Sequence, residues 1–102
     1  MAEKTSAFTV NNTGDPEAVI ATIQCREIRI MEDPAVAGWP TSDFLIYNPT
    51  IGATPARRLV GTSYVFVPSE DNGQPRRFNP NETVGFVATV TGSTTFQMIE
   101  VY

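Results

Sequence analysis

The stretch TVGFVATVTGSTTFQMIEVY, residues 83–102, decides how this chain is read. It contains two runs of β-branched and aromatic residues, each with strand character, joined at Gly92-Ser93. Glycine at the first central position suits a two-residue type II′ hairpin turn. Such a turn sets the expected register. Thr91 stands opposite Thr94, Thr89 opposite Phe96, Val87 opposite Met98 and Gly85 opposite Glu100 on one face. On the other face Phe86 opposes Ile99 and Val84 opposes Val101, a cluster suited to a core.

Both faces of that expected hairpin are apolar, because Phe96, Val87 and Met98 lie on the side away from the Phe86 cluster. In a two-layer sandwich one face of each sheet meets water and is mostly polar. Burying the surplus side chains would stabilise by roughly 1.5–3 kcal/mol each. The cover comes either from a loop or terminal segment of the same chain or from a neighbouring subunit. A polar segment such as MAEKTSA (1–7) has few side chains with which to pack on its own domain, so it is expected to lie against another chain.

The rest of the chain is cut into short pieces. Its 102 residues suit one domain, and 8 Pro and 7 Gly favour brief strands and turns over long helices. Residues 1–14 read as an amino-terminal arm or edge strand around AFTV, ending in the turn formers NNTGDP, and 15–102 as a single β domain. AVIATIQCREIRIME alternates at Ile23 and Cys25, slips phase, and alternates again at Ile28 and Ile30, which predicts a strand with a bulge near Arg26-Glu27. Asp15-Pro16-Glu17 also suits a helix start, leaving a helix over part of 16–24 as the alternative. DPAVAGWPTSD (33–43) is a loop carrying Trp39, which either plugs the core or anchors a partner. FLIY (44–47), RRLVGTSYVFVP and RRF supply further strands, with a hairpin turn expected at Asn72-Gly73 and another turn at NPNE (79–82). About seven short strands result, in an all-β antiparallel sandwich or small barrel.

Composition narrows the chemistry. A net charge of −4 argues against a nucleic-acid binder, since phosphate neutralisation needs clustered cations. The pairs Arg57-Arg58 and Arg76-Arg77 are the local exceptions and suit an acidic protein surface better. The sequence contains no histidine, nucleophile elbow, phosphate-cradling loop or metal motif, so no catalytic residue, cofactor or metal is expected and the chain does not read as an enzyme. Glu27, Glu32, Asp33 and Asp43 read as solvated carboxylates. The one cysteine, Cys25, sits in an apolar run and reads as a small hydrophobe. With no apolar signal core and no membrane-length apolar run, the chain is expected to be made in a cytoplasm, soluble and without membrane contact.

IQCREIRIMEDPAVAGWPTSDFLIYNP together with VGFVATVTGSTTFQ resembles the small β-rich virion proteins of tailed bacteriophages, among them capsid decoration, or cement, proteins. The resemblance spans roughly residues 18–102 and lies in short size, acidity, β patterning and the lack of cysteine pairs and catalytic residues. It implies a structural role on the capsid exterior of a virion, with copies bound to the major capsid protein as dimers or trimers. The expected contact residues are Phe8 and Val10 in the arm, Trp39 in the loop, Phe96 and Met98 on the hairpin, and Arg57, Arg58, Arg76 and Arg77 towards capsid carboxylates. A tail or neck component and a carbohydrate- or receptor-binding β module, the latter using Trp39 with Asp43, are the competing readings.

Overall fold

In the computed structural model the two ends of the chain lie side by side. The structure describes residues 2–11, 16–32, 44–48, 55–58, 63–69, 73, 76–90 and 93–102. Strand β1 (Glu3–Val10) pairs antiparallel with β8 (Thr94–Val101) from Glu3↔Val101 to Val10↔Thr94 without interruption. Between them come β2 (Glu17–Ile20), β3 (Glu27–Glu32), β4 (Phe44–Tyr47), β5 (Ala56–Arg58), β6 (Tyr64–Phe66) and β7 (Thr83–Thr89).

These eight strands form two four-stranded antiparallel sheets, β1-β8-β3-β6 and β2-β7-β4-β5, and the described residues contain no helix. The all-β sandwich reading is therefore correct, and β2 occupies the place where a helix was the alternative. Of strands consecutive in sequence, only β4 and β5 pair among those described; every other step passes from one sheet to the other. Residues 3–10 take the second of the two amino-terminal readings, an edge strand. Its inward Val10 is fully buried and Phe8 packs against the core, so the described part of the segment is built into the sandwich.

The carboxy-terminal hairpin is not formed. β7 lies in one sheet between β2 and β4, and β8 lies in the other between β1 and β3. Thr89 stands opposite Phe44 instead of Phe96, and Val87 opposite Ile46 and Glu17 instead of Met98. The physical reason is the surplus of apolar side chains noted in the sequence. A hairpin buries one of its faces, whereas two strands in facing sheets both aim apolar residues into a shared interior. Val87 from β7 and Phe96 and Met98 from β8 are buried in one core cluster, with the Phe44 and Phe96 rings edge to face at 5.1 Å.

The phase slip after Cys25 has a related origin. Instead of one bulged strand, the chain forms β2 in one sheet, crosses over 21–26, and enters the other as β3. The bulge of this region lies earlier, where the register shifts between Val19 and Ile20 and passes over Val84 of β7. Both Val84 and its neighbour Gly85 are buried there. The crossover is stitched to the segment before β7 by the mutual Cys25–Phe78 backbone bonds and by Asn81 N–H to Ala21 O at 2.7 Å. The turn over 79–82 closes as expected, with Asn81 at φ 69°, a left-handed conformation that asparagine tolerates. In the turn expected at Asn72-Gly73, Gly73 is left-handed at φ 78° while Asn72 lies outside the described residues. The strands on either side of that turn, β6 and β7, belong to different sheets.

Candidate interaction surface

The two outer faces of the sandwich differ in chemistry, and strand parity decides which residues form them. In β8 the inward set is Phe96, Met98 and Glu100, opposite Ile28 and Ile30 of β3, so Thr95, Gln97, Ile99 and Val101 point outward. Polar groups close over the β1, β8 and β3 part of that face, while Val65 at the β6 edge is exposed. Arg29 of β3 contacts Glu27 at 3.0 Å and reaches Glu3 of β1 at 3.7 Å. The second link spans β8, running diagonally past Ile99 and Val101, and Val101 is fully covered. Further along, the Thr9 and Thr95 hydroxyls share a hydrogen bond of 3.0 Å.

The outer face of the other sheet is apolar at its centre. Phe44 and Ile46 of β4 point inward, which turns Leu45 and Tyr47 outward, and Tyr47 stands opposite Phe86 of β7. Phe86 in turn opposes Ala18 of β2, and Ile20 follows two residues further on. Phe86 is 37% exposed and Ile20 42%, whereas Leu45 and Tyr47 are half-buried. Arg57 of β5 stands opposite Leu45, so an exposed cation borders this patch. The sequence assigned Phe86 to the core cluster; the placement of β7 puts it outside.

The residues expected to meet a partner are not brought together. Val10, Phe96 and Met98 lie in the core of their own chain, at 0, 1 and 5% exposure, and half-buried Phe8 packs against that core. These four side chains therefore complete this fold and are not displayed as a contact surface. Trp39 and Asp43 lie outside the described residues. Arg58 points the opposite way from Arg57 and sits 4.8 Å over the Tyr64 ring. Arg76 is paired with Glu82 at 2.8 Å, and Arg77 is exposed beside it in the segment leading to Phe78. The Glu82 carboxyl is held below its ordinary range, first by the Asn79 N–H and then by Arg76. Of the acidic residues considered for acid–base work, Glu27 is held by Arg29, and the side chains of Glu32 and Asp33 lie outside the described set.

One group escaped the sequence reading. Glu100 is completely buried. Its carboxylate accepts the Thr22 backbone N–H at 2.8 Å, the Ile23 N–H at 3.2 Å and the Thr22 hydroxyl, while the Lys4 ammonium donates to that hydroxyl oxygen at 2.8 Å. The carboxylate thus clasps the crossover between β2 and β3. Its position was legible as a carboxylate in phase with Phe96 and Met98, but its partners are 77 and 78 residues away in sequence. Cys25, at the end of the same crossover, is buried, and its thiol is pushed up to about 11, first by burial and next by the charge of Glu100. A thiol held protonated in this way is a packing group and not a nucleophile.

Fold and surface together define an all-β sandwich that offers an apolar sheet face and no described cluster of reactive side chains. In comparisons with known proteins, no family model, no curated protein and no solved structure matches the chain.

Proposed function

We propose that this chain is a structural virion protein of the decoration type, which docks on the outside of a tailed-phage head and bridges major capsid proteins. The observation that carries the reading is the outward apolar patch of Phe86, Ile20, Ala18, Leu45 and Tyr47 on the β2-β7-β4-β5 sheet. The opposite outer face carries ion pairs and a hydroxyl contact over β1, β8 and β3, and its exposed apolar side chain Val65 stands apart at the β6 edge beside Arg29. Phe86 and Ile20 are already more than half covered, so closing over them contributes only a fraction of the roughly 1.5–3 kcal/mol of a fully buried side chain, a weak grip for one copy. Repeated over a lattice, such a grip gains by multivalency. The resemblance drawn from the sequence supplies the setting, and the sheet face supplies the physics.

Co-sedimentation with tailed-phage heads that lack their own decoration protein tests the reading. The intact chain is expected to pellet with heads to a fixed stoichiometry, and Phe86→Asp to remain largely in the supernatant while melting as a folded protein. A wild-type chain that stays in the supernatant, or a Phe86→Asp variant that pellets undiminished, would overturn it.

A further inference from the structure

The geometry points to the free edge of β1 as a strand-pairing site for a second copy of this chain, joined antiparallel about a two-fold axis at Ser6. This inference does not depend on the proposed role on a shell.

Among the described residues four strands lie at sheet edges: β1 and β6 in one sheet, β2 and β5 in the other. Natural edges are blunted by being short, by charged side chains, by proline or by bulges. β2, β5 and β6 have four, three and three residues, and Pro16, Pro55 and Pro68 sit within two residues of them. β1 has eight residues, no proline, and a register with β8 that runs without a bulge. It is the longest edge among the described strands, and its charged residues, Glu3 and Lys4, sit at one end and leave Thr5 to Val10 without a guard.

Hydrogen-bond phase shows what that edge offers. Ala2 and Tyr102 exchange both backbone hydrogen bonds, at 3.3 and 3.0 Å. In an antiparallel ladder such pairs recur at every second residue. Lys4, Ser6, Phe8 and Val10 therefore bond to β8, and the N–H and C=O groups of Glu3, Thr5, Ala7 and Thr9 point away from the sheet. All four of those residues are exposed.

A second observation selects the occupant and the register. The Ser6 hydroxyl is buried and has no hydrogen-bond partner. When two β1 strands run antiparallel about Ser6, Glu3 meets Thr9, Thr5 meets Ala7, and Lys4 meets Phe8 of the other copy. All four outward-facing residues of each strand then enter the new ladder. Inward side chains oppose inward ones, and no like charges face each other. Ser6 meets its own counterpart in a non-hydrogen-bonded pair, where Cα atoms approach to about 4.5 Å and side chains are closest. Each hydroxyl supplies the donor or acceptor that the other lacks. A shift of the axis to Ala7 leaves Glu3 out of the ladder and sets Ser6 against Phe8, so the Ser6-centred register is preferred on both counts. The product is a continuous eight-stranded sheet, β6-β3-β8-β1-β1-β8-β3-β6.

Sedimentation equilibrium of the intact chain, with three variants, tests the pairing. The wild type is expected to dimerise with rising concentration. Ala7→Pro removes an N–H that β8 does not use, so its monomer should keep its fold while its dimer weakens by about tenfold or more, through two lost hydrogen bonds and the ring's bulk at the edge. Ser6→Cys should form a covalent dimer on mild oxidation, because about 4.5 Å between Cα atoms is within disulfide range, and Thr5→Cys should not, since its counterpart lies two residues off register. The cross-linking readout stands even if Ala7→Pro fails to fold. A wild type that stays monomeric at millimolar concentration, a dimer indifferent to Ala7→Pro, or cross-linking through Thr5→Cys but not Ser6→Cys would each overturn the inference.

Discussion

Glu100, near the end of the last strand, holds the backbone N–H of Thr22, 78 residues away in sequence, at 2.8 Å inside the sandwich. The contact fixes the point where the chain leaves one sheet for the other. Without the carboxylate, the part-buried Thr22 and Ile23 amides lose a charged acceptor, at about 1.5 kcal/mol or somewhat more for each bond. Glu100→Ala is therefore expected to lower stability by about 2–5 kcal/mol, and Glu100→Gln, which keeps one acceptor oxygen, by less. Urea unfolding of both variants checks this; equal and small losses would mean that the clasp is not structural.

Gly85 is the second sensitive point. A methyl group there would meet the ring of Phe66 from the facing sheet and stand 2.7 Å from the Tyr47 carbonyl oxygen. The Phe66 ring is buried in the core, and the Tyr47 backbone is held in register opposite Phe86 of β7. Gly85→Ala is expected to destabilise by about 1–3 kcal/mol from overpacking, read as a lower melting temperature with the fold retained.

The Cys25 thiol gives a prediction about alkaline pH. Its pKa is about 11 in the fold against an ordinary 9.0, so above pH 9 the unfolded chain ionises while the folded chain does not. Ionisation on the unfolded side alone draws the equilibrium towards unfolding. The stability that Cys25 contributes is complete below pH 9 and is lost as pH rises through 9 to about 11. The stability gap between wild type and Cys25→Ala should shrink across that window. In the native protein the thiol should react with a disulfide reagent only as fast as the chain unfolds.

Deleting residues 1–14 removes a strand of the sandwich. The cut removes the strand that covers one side of β8, together with the buried Val10 and the partly buried Phe8. Those two side chains alone account for roughly 1.5–3 kcal/mol each when fully buried, out of a typical 5–15 kcal/mol for a whole domain. The truncated chain is expected to lose most of its cooperative thermal transition in circular dichroism. A sharp, unshifted transition would show that β1 contributes little.

Several features could be read directly from the residues. The alternation of Ile28 and Ile30 marks the buried face of β3, and the phase slip after Cys25 marks a real break. The strand character of 94–101 is legible, but its phase is not: the hairpin reading assigns Ile99 to the core and Phe96 and Met98 to a partner, and the structure turns Phe96, Met98 and Glu100 inward. The contact residues were poorly legible because an apolar side chain in a strand looks the same whether it faces its own core or a partner. Phe96 and Phe86 illustrate the point, the first 1% exposed and the second 37%, though both stand in equally apolar runs.

By itself the sequence determined the class of fold, the approximate places of most strands, the phase of Ile28 and Ile30 in β3 and the inert character of Cys25. These depend on local preferences: β-branched residues favour strands, Gly and Pro interrupt them, and parity within a strand is set by a few neighbours. Only the tertiary structure decided that β7 and β8 part into different sheets, that β1 joins β8, and that Glu100 reaches the β2–β3 crossover. Those choices are non-local. A short Gly-Ser connection is compatible with a hairpin or with a passage between sheets, and what selects between them is the apolar area the whole chain can bury at once.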